Sequence, residues 1–168
     1  MALIFVDVEA HGPSPSVGVM TEVGAVRFKR DQQPEDWDRF HGVIVSRAER
    51  EGRGVQEVRA LVDPDTERKV LEAFASWLNI EKELPIFVSD NNGFDFMWVC
   101  DAFWRVLGRN PFGHSSRRIS DFYAGLVGDF REATRWKHLR RPYPHTHISI
   151  DDAIGNAWAF KQILEGKR

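Results

Sequence analysis

Cysteine is almost missing from this chain. Cys100 is the only one among 168 residues, which excludes an intramolecular disulfide and a cysteine-built zinc site. A lone thiol fits a reducing compartment. No apolar run approaches the ~18–20 residues that a membrane helix needs. The opening Met-Ala-Leu-Ile-Phe-Val-Asp has no basic leader and its apolar run stops at Asp7, so no signal peptide is expected. An excess of basic charge is also lacking. The net charge is −2, so any contact with nucleic acid must come from a local patch. Internal repeats and low-complexity tracts are absent, and 42% hydrophobic with 29% charged residues excludes a disordered or collagen-like chain. The expectation is one cytoplasmic domain spanning residues 1–168, with enough length to bury a core without staples.

The chain opens on strands. Leu3–Val8 is a continuous apolar run and reads as a buried strand. His11–Ser16 carries Gly12, Pro13 and Pro15 and reads as a loop. Glu22–Arg30 and Phe40–Val45 read as two more strands, joined by a turn at Asp31–Pro34, so the three form an antiparallel meander. Ser46–Leu61 mixes Arg and Glu and reads as a solvated loop or short helix. Asp63-Pro64 looks like an N-cap followed by proline in the first helical position. Val70, Phe74, Trp77 and Leu78 then make Asp65–Asn79 an amphipathic helix. Pro85–Ser89 is a short apolar strand, Phe94–Leu107 a largely buried helix, and Arg118–Ser120 a last strand, with Asp121 capping the next helix. Arg131–His147 shows no period. Asp151–Leu164 closes the chain as a helix. The order predicts an α/β sandwich with a mixed sheet.

Three acidic positions fall at the ends of these elements. In Asp7-Val8-Glu9 the two carboxylates are two apart on a strand and share a face. They repel unless a cation lies between them. Asp95 opens the helix that follows the Pro85–Ser89 strand, and strand ends are where α/β sheets form ligand crevices. His147 lies in the loop before the last helix, whose start holds Asp151 and Asp152. Each feature alone is ordinary: a polar strand end, a first-turn acid facing a helix dipole, a helix cap beside a histidine. Together they offer only oxygen ligands, which select Mg²⁺ or Mn²⁺ over zinc. Several carboxylates around one point suit a pair of ions of the kind that promotes phosphodiester cleavage. His147 is fit to take a proton from water.

These segments resemble the DEDDh branch of the DEDD 3′–5′ exonuclease superfamily. The matching stretches are Phe5-Val6-Asp7-Val8-Glu9, then Asn91-Asn92-Gly93-Phe94-Asp95, then His147 through Asp152. The Glu22-Val23-Gly24-Ala25-Val26 strand is also typical of the family. The resemblance implies a ribonuclease H-like fold with a mixed five-stranded sheet flanked by helices. It implies that Asp7, Glu9, Asp95 and Asp152 hold two Mg²⁺ or Mn²⁺ ions and that His147 is the general base. Asp152, five residues after His147, becomes the ligand, and Asp151 a helix cap. The backbone of Ala10 and His11 with the Glu9 carboxylate would hold the terminal 3′-hydroxyl, and Asn91 and Phe94 would lie beside the last nucleotides. The small size and the Ser89-Asp90-Asn91 run look most like the short bacterial and phage exoribonucleases, although many family members carry histidine where this chain has Asp90. On that basis single-stranded RNA is favoured over DNA, and a homodimer is admitted. An exodeoxyribonuclease, a non-catalytic nucleic-acid-binding module and a ribonuclease H-type endonuclease are the alternatives.

Arg131–His147 supplies the local patch. It carries five basic residues against the single acid Glu132, with Trp136, Tyr143 and three histidines interleaved. Basic charge with aromatic rings suits a single strand, so Arg135, Lys137 and Arg140 are candidate substrate contacts. Met20 is a candidate contact for the terminal base. His145-x-His147 is not read as a metal pair, because imidazole is not what Mg²⁺ prefers. Trp77, Trp98, Trp104 and Trp158 are assigned to the core or to a subunit interface.

Overall fold

A computed structural model describes residues 1–79 and 82–167. Five strands form one sheet in the order β3-β2-β1-β4-β5. They are β1 (Ala2–His11), β2 (Val19–Phe28), β3 (Asp38–Val43), β4 (Pro85–Ser89) and β5 (Ser116–Arg118). The first three are antiparallel neighbours, while β4 runs parallel to β1 and β5 parallel to β4. The expected meander and mixed five-stranded sheet are therefore present. Ile4, Phe5 and Val6 are all 0% exposed, because β1 is central and both faces of the sheet are covered.

Helices α1 (Arg47–Arg50), α2 (Val55–Ala60), α3 (Pro64–Leu78), α4 (Asn92–Leu107), α5 (Ile119–Val127) and α6 (Ser149–Leu164) accompany the sheet. On one face Ile4, Val6 and Val23 pack with Leu71, Phe74, Trp98 and Phe103. On the other, Phe5 and Val26 pack with Trp136, Ala153, Ala157 and Phe160. Asp63 caps α3, its carboxylate accepting from the Thr66 N–H at 3.0 Å, with Pro64 at the helix start. Trp77 and Trp98 are core residues, whereas Trp104 is exposed. No helix among the described residues is long and apolar enough to cross a membrane.

Several boundaries move. The fifth strand is Ser116–Arg118, and Ile119 and Ser120 already belong to α5, which begins after Arg118. Asp121 therefore lies inside the first turn and caps nothing. Asp151 is not the cap of α6 either, since Ile148 holds that position. Ser46–Leu61 folds as α1 and α2, with Ser46 and Glu49 forming a reciprocal capping box. Arg131–His147 contains a 3-10 turn at Arg135–Arg140, a geometry whose period of three escapes an α-helical search.

Helix α6 lies unusually close to the sheet. A Cβ placed on Gly24 would come within 2.2 Å of the Ile150 nitrogen and 2.3 Å of the Ser149 carbonyl carbon. Only glycine admits this approach. Gly24→Ala is expected to destabilise the protein by about 1–3 kcal/mol or more, the usual range for overpacking. Urea unfolding reads this as a lowered midpoint, and an unchanged midpoint would show that α6 does not sit where described.

Candidate active site

The register of β1 on β2 sets the site. Glu9 lies opposite Glu22, and a bulge follows between Glu9 and Ala10. Bulges re-aim a strand end, and here the bulge ends the regular pairing at the last acid. Like charges facing each other across a ladder repel. Arg50 of α1 relieves this, with one guanidinium nitrogen 3.9 Å from Glu9 and another 3.9 Å from Glu22. Glu22 in turn accepts from the Ser149 N–H at 2.9 Å, the Ser149 hydroxyl at 2.8 Å and His41 Nε2 at 2.9 Å. The start of α6 is thus fastened to β2 beside the acids.

Asp7, Glu9 and Asp152 converge. One carboxylate oxygen of each lies within 4.8 Å of the others. Asp95 is 3% exposed, and its Oδ2 is buried without a hydrogen-bond partner. Asp7, Glu9 and Asp95 line one cleft of about 410 Å³ with Asn91, Phe94 and His147. Burial pushes Asp7 well above the usual carboxylate range, and the charges of Asp95, Asp152 and Glu9 push it further. Burial raises Glu9 as well, against the pull of Arg50 and His147. Asp95 is raised by burial to about 7.

Asp152 behaves differently. Burial raises it, but its hydrogen bonds outweigh burial and leave it below the ordinary value. Its Oδ1 accepts from Arg140 Nη2 at 2.7 Å and the Thr146 N–H at 3.1 Å. Its Oδ2 accepts from the His147 N–H at 2.9 Å and lies 2.5 Å from His145 Nδ1. Arg140 reaches it past Gly155, where a Cβ would come within 2.8 Å of the guanidinium. His147 has φ of 57°, a left-handed conformation that is uncommon outside glycine. Such strain concentrates at functional sites.

The residues fit a divalent cation. Three oxygen donors converge, a fourth carboxylate has an unpartnered buried oxygen, and three of the four are held above their ordinary range by burial and crowding. A carboxylate has about four lone-pair sites, and those of Asp152 are all engaged. A cation drawing on Asp152 therefore takes the place of one donor, and the half-exposed His145 (51%) is the one free to swing away.

These shifts give the metal-free protein a pH signature. A carboxylate whose folded pKa lies above its unfolded value binds more protons in the native state, so stability falls as pH rises between the two. For Asp95 that window runs from 3.8 to about 7, and Asp7 adds in the same direction. In EDTA the melting temperature is expected to fall across this window, and divalent metal is expected to reverse the fall. A flat profile in EDTA would show that the acids are not crowded.

The expected substrate contacts separate. Asn91, Phe94 and Lys137 line the acid cleft, and Ala10 and His11 end β1 beside it. The other three expected contacts are differently placed. Arg140 also lines the cleft, 8% exposed, with its guanidinium paired to Asp152. Arg135 pairs with Glu132 at 2.6 Å and lines a different cavity with Tyr123. Met20 is 2% exposed and faces a separate cavity of about 370 Å³ beside Trp98, because the bulge turns the start of β2 away from the acids. Sequence reasoning missed Arg50 and the placement of His145 on Asp152. Asp90, which many family members replace with histidine, lines the cleft and pairs with Lys137 at 2.7 Å.

No protein-family model matches the chain. A curated Escherichia coli relative, "3′-5′ DNA exonuclease Cap18", is 29% identical over 168 residues, covering 95% of this chain and 90% of that protein. A crystal structure of a full-length 3′-exonuclease superposes with a TM-score of 0.68 at 15% identity, over 98% of this chain and 82% of that one. In sequence and fold the chain is similar to these 3′–5′ exonucleases, consistent with the DEDD superfamily. Its sheet and helices are those of the ribonuclease H-like exonucleases. E. coli exonuclease I in complex with a dA16 oligonucleotide superposes with a TM-score of 0.64 at 16% identity, and this chain spans 41% of its length.

Proposed function

We propose that the protein is a metal-dependent 3′–5′ exonuclease that removes nucleoside 5′-monophosphates from single-stranded DNA. The observation that carries this reading is the convergence of Asp7, Glu9 and Asp152 within 4.8 Å, with Asp95 and His147 on the same cleft. Asp7, Glu9, Asp95 and Asp152 would hold Mg²⁺ or Mn²⁺, in two ions. Bound there, such ions supply electrostatic stabilisation of the phosphate and of the departing oxygen.

The chain's own residues do the rest. Glu9 and the backbone of Ala10 and His11 hold the terminal 3′-hydroxyl. Asn91 and Phe94 flank the last nucleotide. His147 accepts a proton from the attacking water, whose oxygen forms the new bond to phosphorus. The bond from phosphorus to the 3′-oxygen of the preceding nucleotide breaks, and that oxygen takes up a proton from solvent. A 5′-monophosphate leaves, and the shortened strand carries a fresh 3′-hydroxyl.

DNA is preferred here to the RNA expected from the sequence resemblance. The E. coli relative is named a DNA exonuclease, and the exonuclease I neighbours include complexes with dA16 and dT13 oligonucleotides. The test uses 5′-labelled single-stranded DNA and its RNA counterpart with Mg²⁺, Mn²⁺ or EDTA. A metal-dependent ladder shortening from the 3′ end, faster on DNA, is expected. A faster RNA ladder would overturn the substrate, internal cuts in a circular strand would overturn the exonuclease mode, and binding without cleavage would leave a binding module.

A further inference from the structure

The basic residues before α6 are not equivalent. Arg131 pairs with Asp129 at 2.8 Å, Arg135 with Glu132 at 2.6 Å, Lys137 with Asp90 at 2.7 Å and Arg140 with Asp152 at 2.7 Å. Three of these acids lie outside the segment, so its apparent surplus of charge is largely cancelled in space. Arg141 is the exception. Its side chain is exposed, and among the described residues its guanidinium holds no carboxylate. Its position is nevertheless fixed. The Arg141 carbonyl accepts from Trp158 Nε1 at 2.8 Å, and the preceding Arg140 is anchored inward on Asp152.

Arg141 also stands in a groove continuous with the acid cleft. It lines a cavity of about 260 Å³ with His138 and Pro144. Asp90, Lys137, Arg140 and His145 line both that cavity and the cleft. Beyond His138 the surface opens into a further hollow bordered by Tyr123 and Arg135. An unpaired arginine meets a phosphate without first surrendering a carboxylate, and its planar donor fork matches phosphate oxygens. The rings of His138 and His145 offer faces on which bases stack.

We infer that the strand feeding the acid cleft passes over Arg141, whose guanidinium takes a backbone phosphate on the 5′ side of the scissile bond. This rests on the exonuclease reading above and adds the route of the strand to it. Arg141 is then the cation of this segment that sets the salt dependence of binding, and its paired neighbours contribute less.

The test is binding of a fluorescent dT12 strand by anisotropy across a salt series with Mg²⁺, in an Asp7→Asn background that leaves the strand intact. Arg141→Ala is expected to weaken binding severalfold at low salt. It should also reduce the slope of log K against log salt by about 0.7, the increment for one phosphate contact on a single strand. Arg141→Lys should keep the slope. Arg131→Ala, which removes an 89% exposed but paired cation, should move it by less than half as much. Equal slopes for Arg141→Ala and its parent, or equal losses in Arg131→Ala, would overturn the route. Two failures are separable: if the wild type degrades dT12 but Arg141→Ala keeps the parental slope, only the route is wrong. If the wild type neither degrades nor binds dT12, the exonuclease reading falls and the route with it.

Discussion

Asp7→Asn is expected to reduce nucleotide release by about 10³-fold or more, the scale seen when one preorganised electrostatic partner of a transition state is lost. Asp7 is the acid most crowded by the others: burial, then Asp95, Asp152 and Glu9, all raise it. Asparagine keeps its size and removes its charge. The same change should make the metal-free protein more stable near neutral pH, because a desolvated carboxylate facing three others costs folding energy. Loss of activity with a raised melting temperature in EDTA separates a functional acid from a structural one. A persisting ladder would remove Asp7 from the site. A lowered melting temperature would mean that its charge supports the fold.

His147→Ala is expected to slow release by about 10²–10⁴-fold, the usual contribution of a general base. Metal and strand binding should survive. The contact from His147 to Asp152 is made by its backbone N–H at 2.9 Å, and alanine keeps that donor. The left-handed backbone, φ 57°, raises a second issue, since alanine tolerates it no better than histidine. His147→Asn answers it, because asparagine enters this region more readily. Both variants should be equally slow if the imidazole matters. Recovery of activity in His147→Asn would show that the loop's shape, and not proton transfer, had been lost. The measurement is single-turnover release with metal and strand at saturation.

Much of this site was legible in the sequence, for identifiable reasons. Asp7 and Glu9 share a face because strand side chains alternate, and the uninterrupted run from Leu3 announced a strand covered on both sides. Asp63-Pro64 declared the start of α3, since capping chemistry is local. Pro85–Ser89 was found to the residue. The misreadings share another cause. Asp121 and Asp151 looked like caps because acids favour first turns in general, and sequence does not say which residue is the last non-helical one. The charge of Arg131–His147 was summed over a window, while Asp90, Asp129 and Asp152, which neutralise it, lie outside that window. Arg50 and Glu22 are far apart in sequence and meet only through the pairing of β1 with β2. Met20 could be placed only once the bulge at Glu9 and Ala10 was known.

The Asp152 carboxylate joins two duties that are separate on paper. It is one of the converging acids, and its two oxygens also bind the main-chain N–H groups of Thr146 and His147. The loop that carries the proposed proton acceptor is therefore moored to one of the converging acids. Changes at Asp152 and His147 must then be epistatic, the loss of the first concealing most of the loss of the second. Drift at either position is constrained by the other. A lineage that gave up Asp152 would keep a histidine with nothing left to aim it.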